Sequence, residues 1–443
     1  MEIHREGALR ERLSSPKTPE YYREYFNGEG DKKTYYWAES LRNEVELLPR
    51  WKAVKEKATP ELKNLPDNLI PQILERVGGY LELLPTGHSK GHNMRDLVTS
   101  MELTADPVFS KVDDVEKLVG IISGTFHDIG NSVVGRYEEA KRYSSHAEVG
   151  AYLFGELTGD LIPPNLLKLI EYSIAAHTHY NKEIPITKKV DGRDETLNRR
   201  PYEDAPVDGN RMGIWFARWA DRADMQGIMG FVRHSLTKSQ PTEDYDITQE
   251  FHKIKEDEKE DFRHHFNPVL RTAEQLASAP AQDKTKNVLE HVRMFRDSAL
   301  NLSIYSQFDS DFFRNRIVVP AADEQNEFID AVTKDTAVLS DDDINKAFEK
   351  FYAMCRVIEP GKDIDNTIEL FKQKFALLTP EQRSHWANGF KLLPSLYEKW
   401  YGRMGRLLSA GPRGVRNPRV GRILREGNTV AGKSLKDFDP DRF

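Results

Sequence analysis

Apolar residues along this chain recur mostly at intervals of three and four, the period of a helix with one buried face. Val115, Leu118, Val119, Ile122, Phe126 and Ile129 form one such stripe. Leu153, Leu157 and Leu161 form a second; Leu166, Leu167, Leu169 and Ile170 form a third. Pro163-Pro164 separates these two, because proline lacks the amide hydrogen that a helix interior needs. Alternating runs of β-branched residues, the mark of half-buried strands, are scarce. The pattern predicts an all-α protein in three regions. Residues 1–70 read as a polar helical extension with Tyr21, Tyr22, Tyr35, Tyr36 and Trp37 as anchors. Residues 71–235 read as a central core. Residues 236–443 read as a further helical region, opening on an acidic stretch that includes Glu243, Asp244, Glu256, Asp257 and Glu258. The segment 182–212, rich in Pro, Gly, Arg and Asp, reads as a long inserted loop, and such loops often serve as lids.

Composition narrows the class. At 443 residues the chain can bury a sizeable core without staples. Its charged share of 30% exceeds the usual, yet 10% aromatic residues argue against global disorder. No apolar run approaches the roughly 20 residues that span a bilayer. The opening MEIHREGALRERLSSPK has no apolar stretch of a secretory signal. Cys355, the single cysteine, can form neither an intramolecular disulfide nor a zinc ribbon. A cytoplasmic, reducing setting with no membrane contact is expected. The net charge of -7 gives no global drive towards nucleic acid, so any anion must be met at a local site.

That local chemistry is concentrated between residues 88 and 221. His88, His92, His127-Asp128, His146, His177, His179 and Asp221 each fall on or near the end of a helical pattern. Imidazoles with carboxylates suit Mn, Fe, Ni or Zn in an open catalytic centre. His127 and Asp128 close a buried stripe, with Gly130 as a helix stop. Successive helix positions point about 100° apart, but at a helix end both side chains can converge on one ion, and the carboxylate can bridge two. His88 rivals His92, His179 rivals His177, and Asp224 is the fallback for Asp221.

These segments resemble the HD-domain metal-dependent phosphohydrolase superfamily. The pieces that carry the resemblance are H-N-M-R at 92–95, F-H-D-I-G-N at 126–131, S-S-H-A-E-V-G-A-Y-L at 144–153, S-I-A-A-H-T-H at 173–179 and W-A-D-R at 219–222. They cover roughly residues 80–235. The resemblance implies an HD-type helical core with a binuclear centre of two divalent ions, from among Mn, Fe, Ni and Mg. His92, His127, Asp128 and Asp221 would hold one ion; His146 and His177 would hold the other, with Asp128 bridging. Such a centre activates water for attack on phosphorus, with Asp128 central to catalysis and His179 or His88 as a candidate general acid.

The substrate implied is a small phosphorylated molecule. Lys90, Arg95, Arg136, Lys141, Arg142 and Arg222 flank the ligands and are candidate phosphate contacts, with Arg218 nearby. Tyr143 and Tyr180 could stack on a base. Many relatives carry Lys where this chain has Asn131, so a phosphate contact is lost or moved to Arg136. The Gly-Tyr-Pro motif of the cyclic-dinucleotide branch is absent after His179, which favours nucleotide phosphoanhydrides. The rival readings are a di-iron oxygenase on the same ligands and a nucleotide-sensing module with a vestigial site. A homo-oligomer is compatible with the superfamily.

Two further motifs carry less. Residues 427–434 match the phosphate-loop pattern G-x-x-x-x-G-K-S, but the preceding stretch is basic and only nine residues follow, so the match is taken as coincidence. Residues 401–425 hold seven arginines and no acid. They could meet a phosphate backbone, but packing on the acidic 243–261 stretch or on a second subunit is the favoured reading. Interleaved Gly and Pro argue against one regular basic helix.

Overall fold

The structure, a computed structural model, describes residues 17–27, 48–133, 146–177, 184–190, 193–199, 211–224, 227–238, 319–334, 337–361, 363–376, 378–410 and 415–436. In chain order the helices begin with α1 (Pro19–Asn27), α2 (Leu48–Ala58), α3 (Leu69–Leu81), α4 (Lys90–Leu103) and α5 (Asp114–Phe126). They continue with α6 (His146–Thr158), α7 (Pro164–Ala175), α8 (Met212–Asp224), α9 (Gly227–Lys238) and α10 (Val319–Thr333). The last are α11 (Asp341–Ile358), α12 (Ile364–Ala376), α13 (Pro380–Ala410) and α14 (Pro418–Lys436). The expected all-α fold is present. The chain forms two compact units, one from 1–81, 111–218 and 415–427, the other from 82–110, 219–414 and 428–443. Both units draw on distant stretches, so they cut across the three regions marked by composition.

In the first unit α7 is central, with α2, α5 and α6 packed on it. It begins at Pro164, where a helix needs no amide hydrogen. Leu166, Leu167, Leu169 and Ile170 are buried as their spacing predicts. Trp51 of α2 lies against Tyr172, with ring centroids 5.6 Å apart. α5 is capped by Asp113, whose carboxylate accepts from the Glu116 amide at 3.0 Å, and its whole apolar stripe is buried.

Glu116 then does more than sit in a first turn. Its Oε1 accepts from Trp51 Nε1 at 2.7 Å and from the Arg211 amide at 3.2 Å, and its Oε2 accepts from the Gly213 amide at 2.7 Å. Lys55 Nζ approaches Oε1 at 3.1 Å. The buried carboxylate thus caps the start of α8, satisfying amides that have no partner within the helix. Burial pushes the Glu116 carboxyl up, against the opposing pull of Lys55. Arg211 enters α8 in the left-handed region, at φ 59°.

The segment 182–212 departs from the expectation of a plain loop. β1 (Ile184–Val190) and β2 (Arg193–Arg199) pair antiparallel, with Val190 opposite Arg193. Asp191-Gly192 is the intervening dipeptide, and Asp-Gly between two strands is a strong hairpin signal. The register sets Lys188 opposite Glu195 and Lys189 opposite Asp194. Among the described residues this hairpin is the one β-sheet.

In the second unit α13 packs on α10 and α11, and α4, α9 and α12 pack around this frame. Its core is aromatic. Phe351 and Phe390 stack at 4.3 Å, Phe371 and Phe375 lie 4.3 Å apart, and Phe348 meets Phe375 edge-on at 4.8 Å. Ser340 caps α11, its hydroxyl accepting from the Asp343 amide at 3.2 Å, and Asp341, Asp342 and Asp343 complement the helix dipole. Cys355 is buried in α11 as a free thiol.

The arginine-rich stretch runs through the end of α13 and the start of α14, so it is not one helix, as its Gly and Pro predict. Arg422 and Arg419 pair with Asp67 of the first unit; the acidic stretch 243–261 lies outside the described residues. α14 runs unbroken across 427–434, so the phosphate-loop match is helix and cannot cradle a phosphate. No helix among the described residues is long and apolar enough to cross a membrane.

Candidate metal centre

Three helix ends meet in the first unit. His127 caps the C-terminus of α5, and Asp128 follows at φ -92°, ψ 1°, the sparsely populated bridge region common at active sites. His146 opens α6. His177 comes just after α7, whose cap is Ala176. His127 Nδ1 donates to the Gly124 carbonyl at 2.8 Å, and His177 Nδ1 donates to the Ile174 carbonyl at 2.7 Å. A carbonyl can only accept, so each ring carries its hydrogen on Nδ1 and, when neutral, presents the lone pair of Nε2.

Those Nε2 atoms face one carboxylate. His127 Nε2 lies 3.2 Å from Asp128 Oδ2, while His146 Nε2 and His177 Nε2 lie 3.3 and 3.8 Å from Oδ1. The His146 and His177 Nε2 atoms are 3.3 Å apart. Donors that share an ion at about 2.0–2.2 Å stand about 3.0–3.5 Å from one another; three of these separations fall in that range, and His177 to Asp128 is a little longer. The His127 and His177 rings are fixed through Nδ1 in the way metal-ligating histidines usually are. The residues present therefore fit a divalent cation. The two oxygens of Asp128 address different imidazoles, an arrangement that permits bridging.

Neighbours hold this geometry. Asn131 donates its side-chain amide to Asp128 Oδ1 at 3.2 Å and so orients the carboxylate. Arg23 of α1 reaches the Ser132 carbonyl through Nε at 3.2 Å and Nη2 at 3.0 Å, tying down the short helix Ile129–Ser132. Arg218, stacked on Trp215 at 4.7 Å, donates to the Ala176 carbonyl at 2.8 Å beside His177. Gly130 does not stop α5, which ends at Phe126, but lies within the short helix Ile129–Ser132, and its reason is steric. A Cβ there would stand 2.0 Å from the His146 carbonyl oxygen and 2.6 Å from the Gly150 nitrogen. Only glycine lets the start of α6 approach this turn.

The second unit carries another group. His92 of α4 donates Nδ1–H to Asp224 Oδ2 at 2.8 Å. Its Nε2 lies 3.3 Å from Asp96 Oδ2 and 3.5 Å from Asp221 Oδ1, and all three residues could ligate one ion. Arg95 grips Asp224 with Nε at 2.7 Å and Nη2 at 2.9 Å, and Arg233 Nη1 reaches it at 3.1 Å. Burial works to raise the Asp224 carboxyl, but Arg95, His92 and Arg233 hold it well below the usual carboxylate range. Glu359 completes the frame, accepting from Arg95 at 3.0 Å and from the Gly87 amide at 2.9 Å. Burial, with Asp224 and Asp221 close by, pushes Asp96 far above the ordinary range. Formal charge on Asp224 and Glu359 is matched by the two arginines; Asp221 stands beside His92 Nε2 with Asp96, whose carboxyl is driven towards its neutral form.

Sequence expectations meet this geometry unevenly. His127, Asp128, His146 and His177 come together, and His92 meets Asp221. Asp224, the fallback, serves the other face of His92 instead. His88 lies before the helix rather than one turn along it, its ring centroid 6.5 Å from that of His92. Arg95 needs correction: its guanidinium is buried and committed to Asp224, Glu359 and the Ile358 carbonyl, so it orients Asp224 rather than meeting a phosphate. Lys90 pairs with Glu82 at 2.6 Å. Arg136, Lys141, Arg142, Tyr143, His179 and Tyr180 lie outside the described residues, as does the Arg222 side chain. Asp96 was missed, although His-x-x-x-Asp puts both groups on one helix face. Arg233 and Glu359 had no local signal.

Comparison with known protein families, curated proteins and solved structures finds no match for this chain. What stands is a helical protein with buried His/Asp groups that could hold a metal, compatible with an HD-type site.

Proposed function

We propose that the chain is a divalent-metal-dependent phosphohydrolase acting on a phosphate ester or anhydride, best matched by a nucleotide. The observation that carries this reading is the convergence of the His127, His146 and His177 Nε2 atoms on the two oxygens of Asp128. His127, His146, His177 and Asp128 would hold metal in the first unit, and His92 and Asp221 in the second. Bound divalent ions supply a Lewis acid for phosphoryl oxygens and an acidified water. The chain's own residues supply order: Asn131 orients Asp128, the Gly124 and Ile174 carbonyls set the histidine tautomers, and Asp224 sets that of His92.

The test is elemental analysis of the purified protein with a phosphate-release screen. The screen covers nucleotides, dinucleotides and an aryl phosphodiester with added Mn, beside Asp128→Ala. About two metals per chain are expected, with turnover lost in the variant. Two irons without phosphate release would favour the oxygenase, and neither metal nor turnover would leave a binding module.

A further inference from the structure

The family resemblance gives Asp96 no role. We propose that Asp96 is an additional protein ligand of the ion held by His92 and Asp221, and that it makes this position select hard, oxygen-preferring cations such as Mn2+ or Mg2+. The inference rests on the metal reading above. Asp96 lies four residues after His92 on α4, and the two side chains emerge on one face. Its Oδ2 stands 3.3 Å from His92 Nε2, the separation expected of two donors on one ion.

The surroundings leave that geometry little freedom. His92 and Asp96 are fully buried. The His92 ring is pinned through Nδ1 by Asp224, itself clamped by Arg95 and Arg233, so Nε2 keeps its direction towards Asp96 and Asp221. Gathering the Asp96, Asp221 and Asp224 carboxylates in one buried cluster is unfavourable, and a divalent cation offsets that repulsion.

Donor chemistry then separates the two groups. Within the second unit Asp96 and Asp221 both bring a carboxylate oxygen to His92 Nε2. In the first, three imidazoles surround the single carboxylate of Asp128. Carboxylate-rich sets suit Mg and Mn, whereas imidazole-rich sets suit Zn, Fe and Ni. The two positions should therefore differ in metal preference, and Asp96 is the residue that sets the difference.

The test uses the metal-stripped full chain as wild type, Asp96→Asn and Asp96→Ala. Mn2+ is titrated by electron paramagnetic resonance, alone and against Zn2+, and melting is followed with and without metal. Asp96→Asn should weaken Mn2+ at one position at least tenfold and shift preference towards Zn2+. Its metal-free melting temperature should hold or rise, because an unfavourably buried carboxyl is gone. Asp96→Ala should repeat the Mn2+ loss; should its packing suffer, the isosteric Asn variant still decides. Wild-type Mn2+ affinity in Asp96→Asn would overturn the proposal, as would a loss that follows a fall in metal-free stability. If the wild type takes up neither Mn2+ nor Zn2+, the metal reading itself fails, before any variant is measured.

Discussion

Single side chains decide whether the first metal group can form. Gly130 looks in the sequence like a helix stop, but α5 has already ended at Phe126 and Gly130 lies inside the short helix Ile129–Ser132; what matters is the missing Cβ. The His146 carbonyl and the Gly150 amide occupy the space where a side chain would stand. Gly130→Ala should move the start of α6 away from Asp128. We expect a loss of about 2–3 kcal/mol in unfolding free energy, together with weaker metal uptake; unchanged melting and metal titration would mean the turn yields freely. Lys55 and Glu116 make a second point. Lys55→Met leaves the Glu116 carboxylate buried without its cation, which should cost about 3 kcal/mol in urea titration. Adding Glu116→Gln should return part of that loss. Burial opposes charge on Lys55, but Glu116 and Asp113 outweigh it and raise the ammonium above its ordinary 10.5. The contribution is then complete below pH 10.5 and lost as pH rises through the raised value. Wild type should show this alkaline decline more steeply than Lys55→Met; identical pH profiles would remove Lys55 from the account.

Helices form where periodicity and caps agree. Ser340 followed by three aspartates opens α11, and Asp113 opens α5, each with a side-chain oxygen on the third helical amide. Ser340→Ala should lower stability by about 1 kcal/mol in denaturant unfolding, and no shift at all would say that Asp341–Asp343 suffice. The hairpin shows the limit of reading composition. Its segment looks loop-like because Pro, Gly, Arg and Asp are frequent, yet Asp191-Gly192 between Val190 and Arg193 was the better signal. The arginine-rich stretch behaves as its breakers suggest. The phosphate-loop match lies inside α14, where backbone amides are already bonded along the helix and none remains to cradle an anion.

At the scale of the molecule, two units are assembled from interleaved stretches of chain. The second is held by packed aromatics, with Phe390 against Phe348, Phe351 and Phe375. Phe390→Ala should cost about 3–5 kcal/mol. Cys355 supplies an internal probe of the same unit: burial raises its thiol far above the usual range, so it reacts with thiol reagents only when α11 opens. Labelling of native protein should be slow. If it proceeds through opening, Phe390→Ala should speed it by roughly a hundredfold or more, one factor of ten for each 1.4 kcal/mol. Fast labelling of the wild type would place the thiol within reach of solvent in the folded state.

Short-range rules carried much of this protein. The three- and four-residue period marks α5, α6 and α7, and the proline pair marks the break between α6 and α7. The identity of His92, His127, Asp128, His146, His177 and Asp221 already pointed to metal. Asp96 was missed, although four residues along a helix is a local spacing that could have found it. What only the tertiary structure decided is which groups meet and what else they touch. His146 and His177 are 31 residues apart and face each other because α6 and α7 pack together. Arg95 finds Glu359 across 264 residues and so becomes a support for Asp224 rather than an anion contact. Helical period is set by neighbours a turn away, whereas the partners of a buried charge are set by which distant helices close over it.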